Sequence, residues 1–154
     1  MGGGGLLGGI GSYLRAAAPT VRILGAQSEQ TDSMAQSLAA GRVVDVGHAP
    51  TLADGLSGPI DAEGLAIGRA ALDGIAVVSE REIAAAIAWL ATDEGLTVEG
   101  SGAVGVAALR GRALGDVPGP VAVVVSGGNI DPARHAECVR GAALASGVAR
   151  DGGR

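Results

Sequence analysis

Four consecutive glycines, Gly2 to Gly5, stand directly ahead of an apolar run that continues through Leu6, Leu7, Gly8, Gly9 and Gly11 to Tyr13 and Leu14. No Cβ obstructs such a loop, so its backbone N–H groups can all turn toward one anion. A helix starting behind it points its positive end at the same spot. The stretch reads as a phosphate cradle; a flexible glycine leader is the alternative that composition leaves open.

Behind the loop the chain alternates helical and strand-like segments. Leu6 to Ala18 reads as a helix rich in small residues, ended by Pro19, and Val21 to Gln27 as a short apolar strand. A polar cluster, Gln27 to Ser33, leads into a helix from Thr31 to Ala40 closed by Gly41. Arg42 to Val46 reads as a short strand before an irregular stretch, Gly47 to Pro59, centred on Thr51-Leu52-Ala53-Asp54-Gly55. Asp61 is placed to cap a helix from Ala62 to Leu72, and Ile75 to Val78 is a compact buried strand. Ser79-Glu80-Arg81-Glu82 has capping-box spacing, and the helix behind it sets Ile83, Ile87 and Leu90 on one face. Glu99 to Gly102 reads as a loop, Ala103 to Leu114 as an alanine-rich helix, and Asp116 to Pro120 as a turn. Val121 to Val125, five apolar residues, has the signature of a central parallel strand buried on both faces, ending at Ser126-Gly127-Gly128-Asn129. Asp131-Pro132 supplies an N-cap and first-turn proline for a last helix to about Ala145, leaving 148–154 as a frayed tail.

This alternation with short glycine loops implies an α/β fold, a partial three-layer arrangement of a parallel sheet with flanking helices. Ligands in such sheets sit beyond the carboxyl ends of strands. The formal net charge of −5 gives no long-range attraction to nucleic acid or acidic membranes. No window approaches the ~20 apolar residues of a membrane span. The single Cys138 forms no internal disulfide, and no basic stretch precedes the apolar opening, so a cytoplasmic location is expected. All eleven basic residues are arginine. A guanidinium does not lose its proton at neutral pH, so a reaction that needs a lysine amine must obtain it elsewhere.

Four segments then occur together: Gly2-Gly3-Gly4-Gly5-Leu6, Thr51-Leu52-Ala53-Asp54-Gly55, Val98-Glu99-Gly100-Ser101-Gly102-Ala103 and Val125-Ser126-Gly127-Gly128-Asn129. In order and spacing they resemble the C-terminal half of threonine dehydratases and serine racemases, pyridoxal-phosphate enzymes of the tryptophan-synthase-β-like fold. The resemblance covers roughly residues 2 to 131. It implies pyridoxal 5'-phosphate as cofactor, held at its phosphate by Gly2, Gly3, Gly4, Gly5 and Leu6, with the Ser126 hydroxyl on the pyridine nitrogen. Asp54-Gly55 and Glu99 match positions that line the family's pocket beside the cofactor ring. Outside the resemblance, Asp54-Gly55 is a good turn and Glu99 a solvated carboxylate. Asn129 matches a nucleotide contact of regulated racemases, or tightens a turn. The implied chemistry is β-elimination of water from serine or threonine to a 2-oxo acid and ammonia, with racemisation as the alternative.

Several departures from the family pattern stand beside the matches. The Schiff-base lysine and the substrate-carboxylate loop belong to an N-terminal half that this sequence does not contain, so residues 1–147 are read as the C-terminal part of a catalytic domain, inactive alone. No catalytic residue is assigned. A family metal site draws a glutamate and an aspartate from the loop where this chain has Gln27 and Ser33, so no metal is assigned either. A homo-oligomeric parent enzyme is expected, and a non-catalytic subunit completed by a second chain is the other way to supply the lysine. A dinucleotide-binding module is a rival, since Gly3, Gly5 and Gly8 fit G-x-G-x-x-G with Glu29 near the ribose position, but that motif needs a strand before it. His48 and His135 lack metal spacing, and Cys138 reads as a small buried residue. Trp89 reads as a packing residue, and Arg110 and Arg112 as solvated. With few aromatics the core must come from Val, Leu, Ile and Ala, which makes a half-domain with an open sheet edge marginal and prone to associate.

Overall fold

The computed structural model describes residues 2–47 and 49–151. His48, and the end of the tail at 152–154, lie outside the described residues. Helix α1 (Gly5–Ala17) leads into strand β1 (Leu24–Ser28), helix α2 (Ser33–Ala40), a 3-10 turn at Asp54–Leu56 and helix α3 (Ala62–Ala71). Strand β2 (Gly74–Val78) follows, then helices α4 (Glu80–Thr92), α5 (Gly100–Arg110) and α6 (Pro132–Asp151). β1 and β2 pair in parallel, Leu24 opposite Gly74 and Ser28 opposite Val78.

Local chemistry sets most boundaries. Asp61 Oδ1 accepts the Gly64 N–H at 2.7 Å and starts α3. Ser79 and Glu82 form the reciprocal capping box that opens α4. Asp131 Oδ1 accepts the Arg134 N–H at 2.9 Å ahead of α6, which runs past Ala145. Gly41, at φ 69°, closes α2 in the left-handed conformation that a glycine adopts without strain.

Strand alternation sends the two faces of the sheet to different helices. Ala26, Ala76 and Val78 pack on the α4–α5 side with Ile83, Ile87, Leu90, Ala103 and Val106. Ile75 goes to the opposite face with Met34 and Leu65, from α2 and α3. Beyond α3, Leu7 of α1 packs with Ile23 and Ala71. Asp73 ties three element ends together, accepting the Ile23 N–H at 2.7 Å and the Arg15 guanidinium at 2.7 Å. The Ile23 N–H, followed by Arg15, holds the Asp73 carboxyl below its ordinary range.

Three expectations need correction. Val121 to Val125 is no strand, and Val121, Val124 and Val125 are exposed. Five apolar residues signal burial on both faces, but a strand exists only where a ladder partner is available, and among the described residues β1 and β2 pair with each other alone. Arg42 to Val46 is likewise irregular. Glu99 to Gly102 is the start of α5 rather than a loop, with Glu99 at its N-cap. Arg110 is exposed, as expected, with its guanidinium 4.3 Å from the centre of the Trp89 ring. Arg112 pairs with exposed Asp116, four residues on.

Candidate functional site

The four sequence motifs meet in one continuous chain of contacts. Gly2 lies where a Cβ would stand 3.5 Å from Leu56 Cα and 3.6 Å from the Gly55 carbonyl oxygen. Gly55 in turn faces the N-terminus of α5, where an added Cβ would meet Ser101 Oγ at 2.8 Å with Glu99 Oε1 at 3.8 Å. Across α5, Glu99 accepts the Asn129 N–H at 3.0 Å and its own N–H donates to the Gly127 carbonyl at 3.2 Å. The first turn of α5 is thus wedged between the Thr51–Gly55 loop and the Ser126–Asn129 turn.

The glycines of this turn are required by close approach. The Leu52 carbonyl presses on Gly100 from one side, and the Ser126 carbonyl on Gly102 from the other, each where a Cβ would sit. Gly127, at φ 85°, leaves its missing Cβ position to the Glu99 carboxylate. Glu99 therefore fastens the turn that carries Ser126, whose side chain is exposed. Asp54 Oδ1 accepts the N–H of Gly55 at 2.9 Å, inside its own turn.

At the far end of this chain of contacts, Gly4 takes φ 98°, and no side chain caps α1. The first amides of a helix have no intrahelical acceptor, so the N–H groups entering α1 are left for an outside one. The loop is backed on one side by Leu56 behind Gly2, the Pro59 carbonyl 3.7 Å from a Cβ on Gly3, and Gly64 Cα 3.4 Å from one on Gly4. On the other it is open, with nothing within 4 Å of the Cβ position of Gly5, and Leu6 is exposed.

The model for the family described as pyridoxal-phosphate dependent enzyme matches residues 1–127. This chain belongs to that family. It is 41% identical over 136 residues to the L-threonine ammonia-lyase of Thermotoga maritima, covering 85% of this chain and 33% of that protein. It is 31% identical over 134 residues to the serine racemase of Arabidopsis thaliana, covering 84% of this chain and 40% of that one. Its fold superposes on the processed form of threonine deaminase isoform 2 from Solanum lycopersicum with a TM-score of 0.83 and 28% identity, over 94% of this chain and 40% of that chain. The chain thus spans about a third to two fifths of the curated relatives it matches.

The Gln27–Ser33 loop is closed by hydrogen bonds of its own. Gln27 is fully buried; its Nε2 donates to the Thr31 carbonyl at 2.9 Å and its Oε1 accepts the Ala35 N–H at 2.9 Å. Ser33 Oγ and Thr31 Oγ1 are buried without a hydrogen-bond partner. Glu29, the residue at a ribose position in the dinucleotide alternative, instead accepts the Glu80 N–H through Oε1 at 3.3 Å.

Outside the site, burial pushes the Cys138 thiol up, with Glu137 adding to the effect. His135 has Nε2 buried without a partner. Ser101, read from the sequence only as part of its motif, has a buried Oγ that also lacks a partner. Sequence reasoning missed the role of Glu80, noticed only as a member of the capping run, because its partners depend on which loops fold against it.

Proposed function

We propose that this chain is the cofactor-holding part of a pyridoxal-phosphate-dependent ammonia-lyase acting on threonine or serine. The observation that carries the reading is the continuity just described, from an uncapped helix entry at Gly4 to the Ser126 turn, through motifs far apart in sequence. The amides of Gly2 to Gly5 and Leu6 bind the cofactor's phosphate, assisted by the α1 dipole. The Ser126 hydroxyl hydrogen-bonds the pyridine nitrogen, and a neutral partner there leaves that nitrogen largely unprotonated. Gly55 keeps the ring side clear of a Cβ, while Glu99 holds the Ser126 turn in place.

When bound, pyridoxal phosphate supplies the electron sink for loss of a Cα proton and a β-hydroxyl, giving a 2-oxo acid and ammonia. This chain orients the cofactor but encodes no lysine to anchor it or to move the Cα proton. The working enzyme combines these residues with a lysine-bearing segment, in a cytoplasmic homo-oligomer. The serine racemase relative supports racemisation as the second reading.

The test is to titrate the purified chain with pyridoxal phosphate and assay 2-oxobutanoate from threonine. The expected result is saturable binding with a shifted cofactor spectrum, and no turnover above that of free cofactor. An absence of binding sinks the cofactor reading. Turnover well above free cofactor sinks the claim that the missing lysine is required.

A further inference from the structure

The Thr51–Leu56 segment carries no regular structure apart from its 3-10 turn, yet it backs the glycine loop. It is held from behind by one carboxylate on the first residue of α4. Glu80 Oε1 accepts the Thr51 hydroxyl at 2.6 Å and also the Ser28 hydroxyl, at the end of β1. Its Oε2 accepts the Leu52 N–H at 2.6 Å. Each hydroxyl also serves as an acceptor: Thr51 Oγ1 takes the Ala53 N–H at 2.9 Å, and Ser28 Oγ the Gln30 N–H at 3.0 Å. Every arm of the network is therefore matched donor to acceptor. Three donors converge on a single part-buried carboxylate, an arrangement in which each charge-assisted bond is stronger than a neutral one.

The position of this latch gives it a consequence beyond stability. Glu80 fixes Leu52 and Ala53; Ala53 is fully buried, and its carbonyl accepts the Leu56 N–H at 2.9 Å. Leu56 and the Gly55 carbonyl then back Gly2. We infer that Glu80 is a positioning residue for the glycine loop, holding the Thr51–Leu56 segment so that the Gly2–Gly5 amides are set for a phosphate monoester; this rests on the cofactor reading above. Glu80 touches no cofactor atom in that reading. It acts through Thr51 and Leu52, and its effect falls on the phosphate end of the ligand.

The test uses Glu80→Ala and Thr51→Val, with Glu82→Ala as the control. Glu82 belongs to the same helix turn but serves only the Ser79 cap, so its loss weakens α4 without touching the loop. Hydrogen exchange is measured at the amides of residues 51–58 and 2–6, together with affinity for pyridoxal phosphate and for pyridoxal, which lacks the phosphate. The expected result is faster exchange in both segments for Glu80→Ala and Thr51→Val. Affinity for pyridoxal phosphate falls about tenfold, the scale of one lost charge-assisted bond, with that for pyridoxal unchanged. Glu82→Ala lowers the melting temperature and leaves both readouts as in the unmutated chain.

If Glu80→Ala does not fold, Thr51→Val carries the test, since it deletes one hydroxyl at nearly constant shape. The inference is overturned if Thr51→Val exchanges and binds like Glu82→Ala. If the unmutated chain binds no pyridoxal phosphate, the proposed function fails; unchanged exchange at 2–6 in Thr51→Val then overturns the positioning claim separately, and faster exchange there upholds it.

Discussion

At Gly102 and at Gly9 the same substitution has opposite consequences, because only one of them faces another part of the chain. A Cβ on Gly102 would overlap the Ser126 carbonyl oxygen and reach Val98 Cγ1 at 2.9 Å, and a backbone carbonyl cannot step aside as a side-chain tip can. Gly102→Ala should therefore cost about 1–3 kcal/mol, toward the upper end, and displace the turn that carries Ser126. Gly9 has nothing within 4 Å of its Cβ position on the exposed side of α1. Gly9→Ala should stabilise the chain by about 0.5–1 kcal/mol through helix propensity alone. Denaturant melts of the two variants, with pyridoxal phosphate titrations beside them, check both signs; a neutral Gly102→Ala would show that the two motifs are not in contact. Cys138 gives a chemical counterpart at this scale. Its thiol is buried and pushed up by that burial, so iodoacetamide at neutral pH should modify it more slowly than an exposed free cysteine.

Among the elements, α4 shows how much a short sequence can settle by itself. Its capping box, its apolar face and its start at Glu80 were all legible, because each depends on residues within four positions of one another. The cap also makes α4 sensitive to pH. The N–H and hydroxyl of Ser79 hold the Glu82 carboxyl below its ordinary range. A depressed carboxyl contributes its stability in full above the unfolded pKa, about 4.3 for glutamate, and loses it as the pH falls through the lower folded value. The difference in melting temperature between the unmutated chain and Glu82→Gln should thus be largest near neutrality and shrink in acid below about pH 4. Ser79→Ala should cost about 1 kcal/mol at pH 7. Val121 to Val125 marks the opposite limit. Its apolar run was visible, but pairing depends on a partner elsewhere, and the segment is anchored by half-buried Val123 against α5, 3.0 Å from a Cβ on Gly105. The candidate site divides in the same way. The glycine motifs could be read from the sequence because glycine is needed wherever backbones touch. The role of Glu80 could not, because an ordinary glutamate reveals its partner only after folding.

Taken as a whole, the molecule has a well-filled interior on the α4–α5 side and an open apolar margin elsewhere. Ile83, Ala103 and Ala108 are fully buried, whereas Leu6, Val77, Val121, Val124 and Val125 remain exposed. The two-stranded sheet adds unpaired backbone groups at its edges among the described residues. Exposed valines and unpaired strand edges both favour association. The net charge of −5 opposes this only over a distance of about 10 Å at moderate salt. The 154-residue chain should therefore self-associate in sedimentation velocity, with the larger species growing as concentration rises and as salt screens the repulsion. Val124→Lys should shift the distribution toward monomer, because a charge in place of an exposed apolar side chain opposes association through that segment. It should leave the melting temperature within about 0.5 kcal/mol of equivalent stability, since a surface substitution removes no core contact. A sharp, cooperative and concentration-independent melt of a monomer would show instead that the α4–α5 core alone satisfies the chain, and that the exposed valines are ordinary surface.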